Sequence, residues 1–278
     1  MSKTIQKPKI NSGLDITMIE IIKPKIFEKY NLIAGYTTKN LDFAKDMPNG
    51  LDFKITHEKE FEQSRDIFAS ELGFDKENII FNNQNHTNLI RSVNHNSDQN
   101  LVFDGMATKQ KNLIICAKSA DCSVVLFYDY ENQIIGCVHS GIKGTINEIN
   151  NNCIQKMVQL GAKVDTILAY ICPTIGQHNY PTTKSNCELI PHQFKKSEKT
   201  VDGKKLLKNL SYELESHDEE IYFVDIRGMI KQQLLDLGLT EENIGVSELC
   251  TYDNANLHSY RREKPNNGLG IGFIGMID

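Results

Sequence analysis

The amino-acid sequence predicts an α+β fold, a single domain with mixed β-sheets flanked by helices. Short apolar runs typical of strands fill the middle of the chain, and segments with apolar residues at helical spacing also occur. The two kinds of segment do not alternate strictly, as they would in a doubly wound parallel sheet. No linker rich in Gly, Ser or Pro divides the apolar part, so we expect one domain over residues 26–278.

The first predicted elements follow a polar N-terminal stretch. Residues 1–25 are rich in Lys and contain two prolines, and we expect them to form a loosely held arm. A strand is predicted near 31–37. A helix is predicted over 58–72, because its large apolar residues fall on one helical face and Gly73 follows as a stop.

The central block is rich in Ile, Val, Leu and Phe, which predicts β-structure. Further along, Thr145 and Glu148 have the spacing of a capping box, which predicts the start of a helix that Gly161 ends. Residues 195–220 are highly charged, and a solvated helix plus a loop is expected there. The remaining predicted elements are strands at 78–81, 112–118, 123–128, 133–138, 164–172, 221–224 and 270–277, a hairpin turn at 129–132 and a capped helix at 225–237.

Composition and charge narrow the function classes. Hydrophobic residues make up 40% of the chain and charged residues 24%, which is typical of a globular protein with a sizeable core. The net charge of -5 provides no general cationic field, so no sequence-independent binding to nucleic acid is expected. The sequence has no apolar signal-peptide run and no stretch of eighteen apolar residues, which predicts a cytoplasmic protein without a membrane partner. The seven cysteines include no CxxC pair and are expected to be reduced thiols.

Three polar segments at the edges of predicted strands are candidates for chemistry. They are Gln-Asn-His at 84–86, Ala-Asp-Cys at 120–122 and the glycine-containing turn at 138–145. Side chains at strand ends can converge from distant positions, and three His or Cys ligands leave one tetrahedral position open, as in a catalytic zinc site. Spacing alone does not decide the matter, because His86, Cys122 and His139 fit no compact metal motif and could each be core residues.

Several motifs occur in an order that resembles the YfiH family, once called multicopper polyphenol oxidases or laccase-like proteins. They are QxH at 84–86, a DG(L/M)xT-like segment at 104–108, ADCxxVL(L/F) at 120–127, H(A/S)GxxG at 139–145 and CTY...SxRR at 250–262. The resemblance covers the chain from about Ile33 to its last residue and implies a YfiH-like fold. It also implies that His86, Cys122 and His139 are the metal ligands and form the catalytic centre.

The activity that this resemblance implies is zinc-dependent purine nucleoside phosphorylase activity on adenosine, inosine, guanosine and methylthioadenosine, with adenosine deaminase activity beside it. Zinc is the expected cofactor and copper the alternative. The expected partners are purine nucleosides and phosphate, and the sequence leaves protein partners open. Bound metal lowers the pKa of water and so explains deamination directly.

Phosphorolysis requires cations that hold a phosphate against the anomeric carbon. Candidates for binding phosphate or substrate are Lys39, Lys143, Tyr180, Arg261 and Arg262. For the cations the alternative reading is a solvated surface charge, and Tyr180 is a candidate because it stands in an IGPxxY-like turn. The general acid or base stays unassigned, since strand alternation would turn Asp121 away from Cys122.

The sequence departs from the family's pattern at the turn after His139. The family's HAGWRGT reads HSGIKGT here, so Ile142 replaces a Trp and Lys143 an Arg. Lys offers a point charge where Arg offers a bidentate fork, which leaves the substrate preference open. The glycine-rich motif that commonly follows the first strand is also missing from residues 39–50.

The sequence has three alternative functional interpretations. A copper oxidase of phenols would need several copper centres, which eight scattered histidines without an HxH motif do not supply. A cysteine hydrolase would use Cys122 as nucleophile with His139 or His86 as base. A non-catalytic protein that binds metal or a partner is the third.

Overall fold

The computed structural model describes residues 19–42, 46–95, 97, 100–182, 188–199 and 220–278. The strands are β1 Ile21–Ile22, β2 Leu32–Thr37, β3 Ile79–Ile80, β4 Ile90–Ser92, β5 Gly105–Thr108, β6 Leu113–Ser119, β7 Ser123–Asp129, β8 Ile134–Ser140, β9 Ile167–Ile171, β10 Pro181–Thr182, β11 Lys195–Lys199, β12 Glu220–Val224, β13 Ile244–Val246 and β14 Gly270–Met276. The helices are α1 Glu58–Leu72, α2 Ile142–Ile146, α3 Ile149–Gln159, α4 Ile226–Asp236 and α5 Tyr260–Glu263.

These strands form three sheets. A five-stranded sheet has the order β1-β2-β14-β6-β3, and a six-stranded sheet has the order β13-β9-β7-β8-β5-β4. Both are mixed, because antiparallel pairs predominate while β3·β6, β4·β5 and β13·β9 are parallel. A small sheet, β10-β12-β11, is antiparallel. The α+β class with mixed sheets that the sequence predicted is therefore confirmed.

The two large sheets pack face to face around a shared core. Along β7, Val124, Leu126 and Tyr128 belong to one cluster with residues of β6, β14 and β2. The intervening Val125 and Phe127 belong to a second cluster on the opposite face of the six-stranded sheet. This alternation follows from the two-residue period of a strand, and it explains why β7 is apolar on both faces.

Helices cover the outer faces of the sandwich. Phe68 of α1 packs on the five-stranded sheet, with its ring 4.8 Å from that of Phe273. Met157 of α3 and Leu234 of α4 pack on the six-stranded sheet. The result is a four-layer α/β/β/α arrangement, and no helix in the described ranges combines the length and apolarity needed to cross a membrane.

The helix predicted to end at Gly161 is present as α3, but the capping box predicted to begin it is wrong. Thr145 lies inside the short helix α2, and its hydroxyl donates to the carbonyl of Gly141 at 2.9 Å. Glu148 has a left-handed φ of 61° and separates α2 from α3. The hydroxyl of Thr145 is bound to the preceding turn, so it does not cap the helix that follows.

Two other segments differ from their predictions. Residues 195–199 form strand β11 rather than a solvated helix, because they pair with β12, and residues 200–219 lie outside the described part. Ile21 and Ile22, within the predicted arm, pair with β2 as strand β1. Residues 1–18 of that arm also lie outside the described residues.

Candidate metal centre

Two histidines and a cysteine converge where β6, β7 and β8 meet at one edge of the sandwich. The connection 120–122 carries the chain from the five-stranded to the six-stranded sheet and contains Cys122. His139 lies near the end of β8, opposite Val124 of β7. His86 comes from the loop between β3 and β4. One ligand atom from each residue lies within 4.8 Å of the others, and Sγ of Cys122 is 4.0 Å from Nε2 of His86.

Asp104, at the start of β5, organises the loop that carries His86. Its carboxylate accepts hydrogen bonds from the backbone N–H groups of Asn85, His86 and Thr87 at 3.1, 3.0 and 2.7 Å. The hydroxyl of Thr87 donates to the same carboxylate at 2.7 Å. His86 has φ of 54°, a left-handed conformation that is costly for a residue with a Cβ. The hydrogen bonds to Asp104 hold it there.

The same carboxylate orients His139. Nδ1 of His139 donates to Oδ1 of Asp104 at 2.8 Å, and the backbone N–H of His139 donates to the Asp104 carbonyl at 2.7 Å. Burial raises the pKa of Asp104, but hydrogen bonds from His139 and Thr87 outweigh burial and lower it to about 2. Asp104 is therefore an anion at neutral pH, and it leaves Nε2 of His139 facing the other two ligands.

Cys122 and His139 form a coupled pair of charges. Burial raises the pKa of the Cys122 thiol, but hydrogen bonds with His139 and His86 outweigh burial and lower that pKa to about 6. Burial lowers the pKa of His139, and hydrogen bonds with Asp104 and Cys122 reverse this effect and raise it to about 9. The sulfur therefore carries the negative charge that a metal ligand requires.

The donor set and its surroundings fit a zinc ion. In a tetrahedral site of one sulfur and two nitrogens the ligand atoms stand about 3.5 Å apart, so small side-chain movements suffice here. Gly141 leaves room for the cluster, since a Cβ at this position would stand 3.0 Å from Sγ of Cys122 and 3.2 Å from Cδ2 of His86. His86 is exposed and Cys122 partly so, which leaves the fourth position open to solvent.

The lysines predicted to bind phosphate lie in different surroundings. Lys143 is exposed on α2, two residues after Gly141, the residue that adjoins the ligand side chains. Lys39 follows β2 and forms an ion pair with Glu263, and its side chain is only 13% exposed. Of the two, Lys143 is the cation that extends into solvent.

The two predicted arginines also have separate partners. The backbone N–H of Arg261 donates to Oδ2 of Asp121 at 2.7 Å, and its guanidinium lies 5.1 Å from the ring centre of Tyr180. Arg262 donates to four backbone carbonyls between Thr251 and Leu257 and pairs with Glu263. Arg261 and Tyr180 thus belong to the surroundings of the 120–122 connection, whereas Arg262 holds the segment before α5.

Asp121 precedes β7 and has a left-handed φ of 85°, so the strand alternation expected at this residue does not apply. Its carboxylate accepts from Thr251 and from the backbone of Arg261. The functional residue that sequence reasoning missed is Asp104. It stood in the motif at 104–108, and its role depends on the approach of β5 to β8, which no local pattern reveals.

Comparisons with known proteins agree with this architecture. The family model described as multi-copper polyphenol oxidoreductase laccase matches residues 34–277. Purine nucleoside phosphorylase YlmD of Bacillus subtilis (strain 168) is 26% identical over 261 residues, covering 88% of each chain. Purine nucleoside phosphorylase Cj1217c of Campylobacter jejuni is 30% identical over 198 residues, covering 70% of this chain and 76% of that protein.

A solved structure shows the same fold. The crystal structure of the Bacillus licheniformis hypothetical protein YfiH has a TM-score of 0.74 and 26% identity, and the match covers 88% of this chain and 92% of that one. The family match extends from β2 to the end of β14 and includes all three ligands and Asp104. The chain therefore belongs to the multi-copper polyphenol oxidoreductase laccase family, alongside the YfiH and YlmD proteins.

Proposed function

We propose that this chain is a zinc-dependent purine nucleoside phosphorylase that acts on adenosine, inosine, guanosine and methylthioadenosine. The observation that carries the proposal is the convergence of His86, Cys122 and His139 within 4.8 Å on a shared Asp104 support. Two relatives that align with most of this chain carry the name purine nucleoside phosphorylase. A cytoplasmic location is part of the proposal, and the free thiols of all six cysteines in the described ranges support it.

The protein's own residues would position the reactants. Bound zinc would supply a Lewis acid and lower the pKa of water at the open position. Asp104 holds the proton on Nδ1 of His139 and so keeps Nε2 available as a ligand. The solvent-exposed side of His86 would make the centre accessible to a nucleoside.

In phosphorolysis, a phosphate oxygen forms a bond to the anomeric carbon while the bond from that carbon to the purine nitrogen breaks. The purine takes the bonding electron pair and a proton. Lys143 is our preferred phosphate-binding residue, because it is exposed beside the centre, and Arg261 with Tyr180 would border the substrate. Lys39 and Arg262 would act indirectly through Glu263, which both of them contact.

Adenosine deamination is the second activity in the proposal, and the solvent exposure of His86 and the partial exposure of Cys122 support it, because water could reach a metal held there. Water would add to the purine carbon that carries the amino group, and ammonia would leave. Deamination needs no phosphate, so only phosphorolysis depends on phosphate binding at the site. A variant that weakens phosphate binding should therefore retain deamination.

The alternative functions make different demands. Multicopper oxidation needs many histidine ligands, and neither group of three metal-ligand side chains in the described ranges contains more than two histidines. A cysteine hydrolase would keep Cys122 reactive in the purified protein, whereas zinc would protect the thiolate from alkylation. Protection that disappears when a chelator is added supports the metal site over the hydrolase.

The test of the function is a nucleoside assay with and without phosphate. Zinc-loaded protein should convert inosine to hypoxanthine and ribose 1-phosphate only when phosphate is present, and convert adenosine to inosine in either buffer. Lys143→Ala should raise the KM for phosphate by about tenfold, while Lys156→Ala, at a partly exposed position on α3, should not. Equal rates of base release in phosphate-free buffer would show hydrolysis instead.

A further inference from the structure

We propose that His178, Cys250 and Asp253 form a second metal site, for a zinc-like divalent cation, separate from the centre at Cys122. One ligand atom from each residue lies within 4.8 Å of the others. The three residues come from two chain segments, the turn after β9 and the loop after β13. A parallel bridge between Thr174 and Cys250 fixes these segments against each other.

The sulfur of Cys250 already has the hydrogen-bond environment of a ligand. The backbone N–H of Gly176 donates to it at 3.1 Å, and Nδ2 of Asn179 donates to it at 3.5 Å. N–H groups directed at a cysteine sulfur are common outer contacts in metal sites. The same Asn179 amide donates to Oδ1 of Asp253 at 2.7 Å, which fixes that carboxylate and directs Oδ2 to the histidine.

His178 is the third candidate ligand, beside Cys250 and Asp253. Nε2 of His178 lies 2.8 Å from Oδ2 of Asp253, and this contact joins the two atoms that a cation would bind together. Both side chains are more than half exposed, so they can separate by the fraction of an ångström that coordination requires. Water can fill the fourth position of a tetrahedral site.

Gly176 leaves room for this cluster because it has no Cβ, as Gly141 does at the centre around Cys122. A Cβ on Gly176 would stand 2.8 Å from Cε1 of His178 and 3.3 Å from Sγ of Cys250. A cleft of about 400 Å³ that Gly176, His178 and Cys250 help to line provides an entry path for the ion. The mixture of thiolate, imidazole and carboxylate suits zinc better than calcium or magnesium, which prefer oxygen ligands.

The proposal is tested by zinc stoichiometry, with zinc itself as the probe. The full chain is saturated with zinc, passed through a desalting column and analysed for metal. The wild-type protein should retain two zinc ions per chain. Each of the single variants His178→Ala, Cys250→Ser and Cys122→Ser should retain one zinc ion. The double variant Cys122→Ser, Cys250→Ser should retain none. His192→Ala, which removes an exposed histidine elsewhere, is the matched control and should retain two.

A variant that blocks the site sterically tests the proposal even if the cysteine variants misfold. Gly176 has φ of -70°, which alanine adopts without strain, so Gly176→Ala should fold normally. Its methyl group should weaken zinc binding at this site at least tenfold in a competition titration with a chromogenic chelator. A single zinc per wild-type chain that Cys122→Ser abolishes, or two zinc ions retained in His178→Ala, would overturn the proposal. The readout is metal content, so it is independent of any nucleoside activity.

Discussion

At the scale of single residues, Asp104 connects the loop of His86 with the end of β8. It accepts hydrogen bonds from three consecutive backbone N–H groups of that loop and from Nδ1 of His139. An amide at this position would lose one acceptor oxygen and direct an NH₂ group toward a donor. We therefore expect Asp104→Asn to weaken zinc binding at the centre formed by His86, Cys122 and His139 by about 10–100-fold.

Competition with a chelator measures this effect, and thermal unfolding of the metal-free protein checks the fold. Thr87→Val is the comparison, because it removes one donor to Asp104 but keeps the bond to His139. It should change zinc affinity far less than Asp104→Asn does. Zinc affinities of Asp104→Asn and wild type within twofold of each other would contradict the role of Asp104.

Glu263 is a second acid with a lowered pKa, partly buried, and its role concerns stability. Burial raises its pKa, but the nearby His258 ring and hydrogen bonds from Lys39 and Arg262 outweigh burial and lower the pKa from 4.5 to about 2. A lowered carboxyl pKa in the folded state stabilises the fold above about pH 4.5, and this stabilisation is lost as the pH falls toward 2. Glu263→Gln should thus lower the free energy of unfolding by ~1–3 kcal/mol at pH 7.

Denaturant unfolding at several pH values measures this difference. The gap between wild type and Glu263→Gln should shrink steadily below about pH 4.5. Glu188→Gln, at an exposed position, is the control and should leave stability unchanged at every pH. A gap that is independent of pH would mean that the charge of Glu263 does not produce the stabilisation.

At the scale of elements, the segment from the end of β8 into α2 has fixed anchors on either side of a variable pair of residues. His139 is held by Asp104 and Thr145 by Gly141, whereas Ile142 and Lys143 lie between them. We expect the double variant Ile142→Trp, Lys143→Arg to keep its zinc and to shift KM for phosphate or nucleoside, because an aromatic ring and a forked cation would border the same space. Kinetics on adenosine and inosine, with zinc content measured in parallel, would show it. Unchanged kinetic constants would mean that the start of α2 does not border the substrate.

Long elements with a clear period could be predicted from the sequence, whereas several short ones could not. The helix at 58–72 has the predicted bounds, with Gly73 in the left-handed conformation that ends it. The short strands β4 and β13 have three residues each, too few to establish a two-residue period, and were missed. The strand β11 was also missed, because its charged sequence resembles a solvated segment and only its pairing with β12 defines it.

At the scale of the whole molecule, the metal centre at Cys122 exists because the chain crosses from one sheet to the other. Cys122 lies in that crossing, His139 on the neighbouring strand and His86 in a loop from the five-stranded side. Their sequence separations carry no metal motif, which is why family resemblance rather than spacing identified them. The support from Asp104 and the second cluster at Cys250 depend on tertiary approach and became visible only in the fold.

The measurement that tests the account most directly is the zinc content of His86→Ala, since His86 is exposed and its removal leaves the core intact. It is best made in a His178→Ala background, so that zinc at the second proposed site does not contribute. The background protein should hold one zinc ion per chain, and addition of His86→Ala, Cys122→Ala or His139→Ala should remove it and abolish nucleoside turnover. One full equivalent of zinc in all three ligand variants would contradict the account.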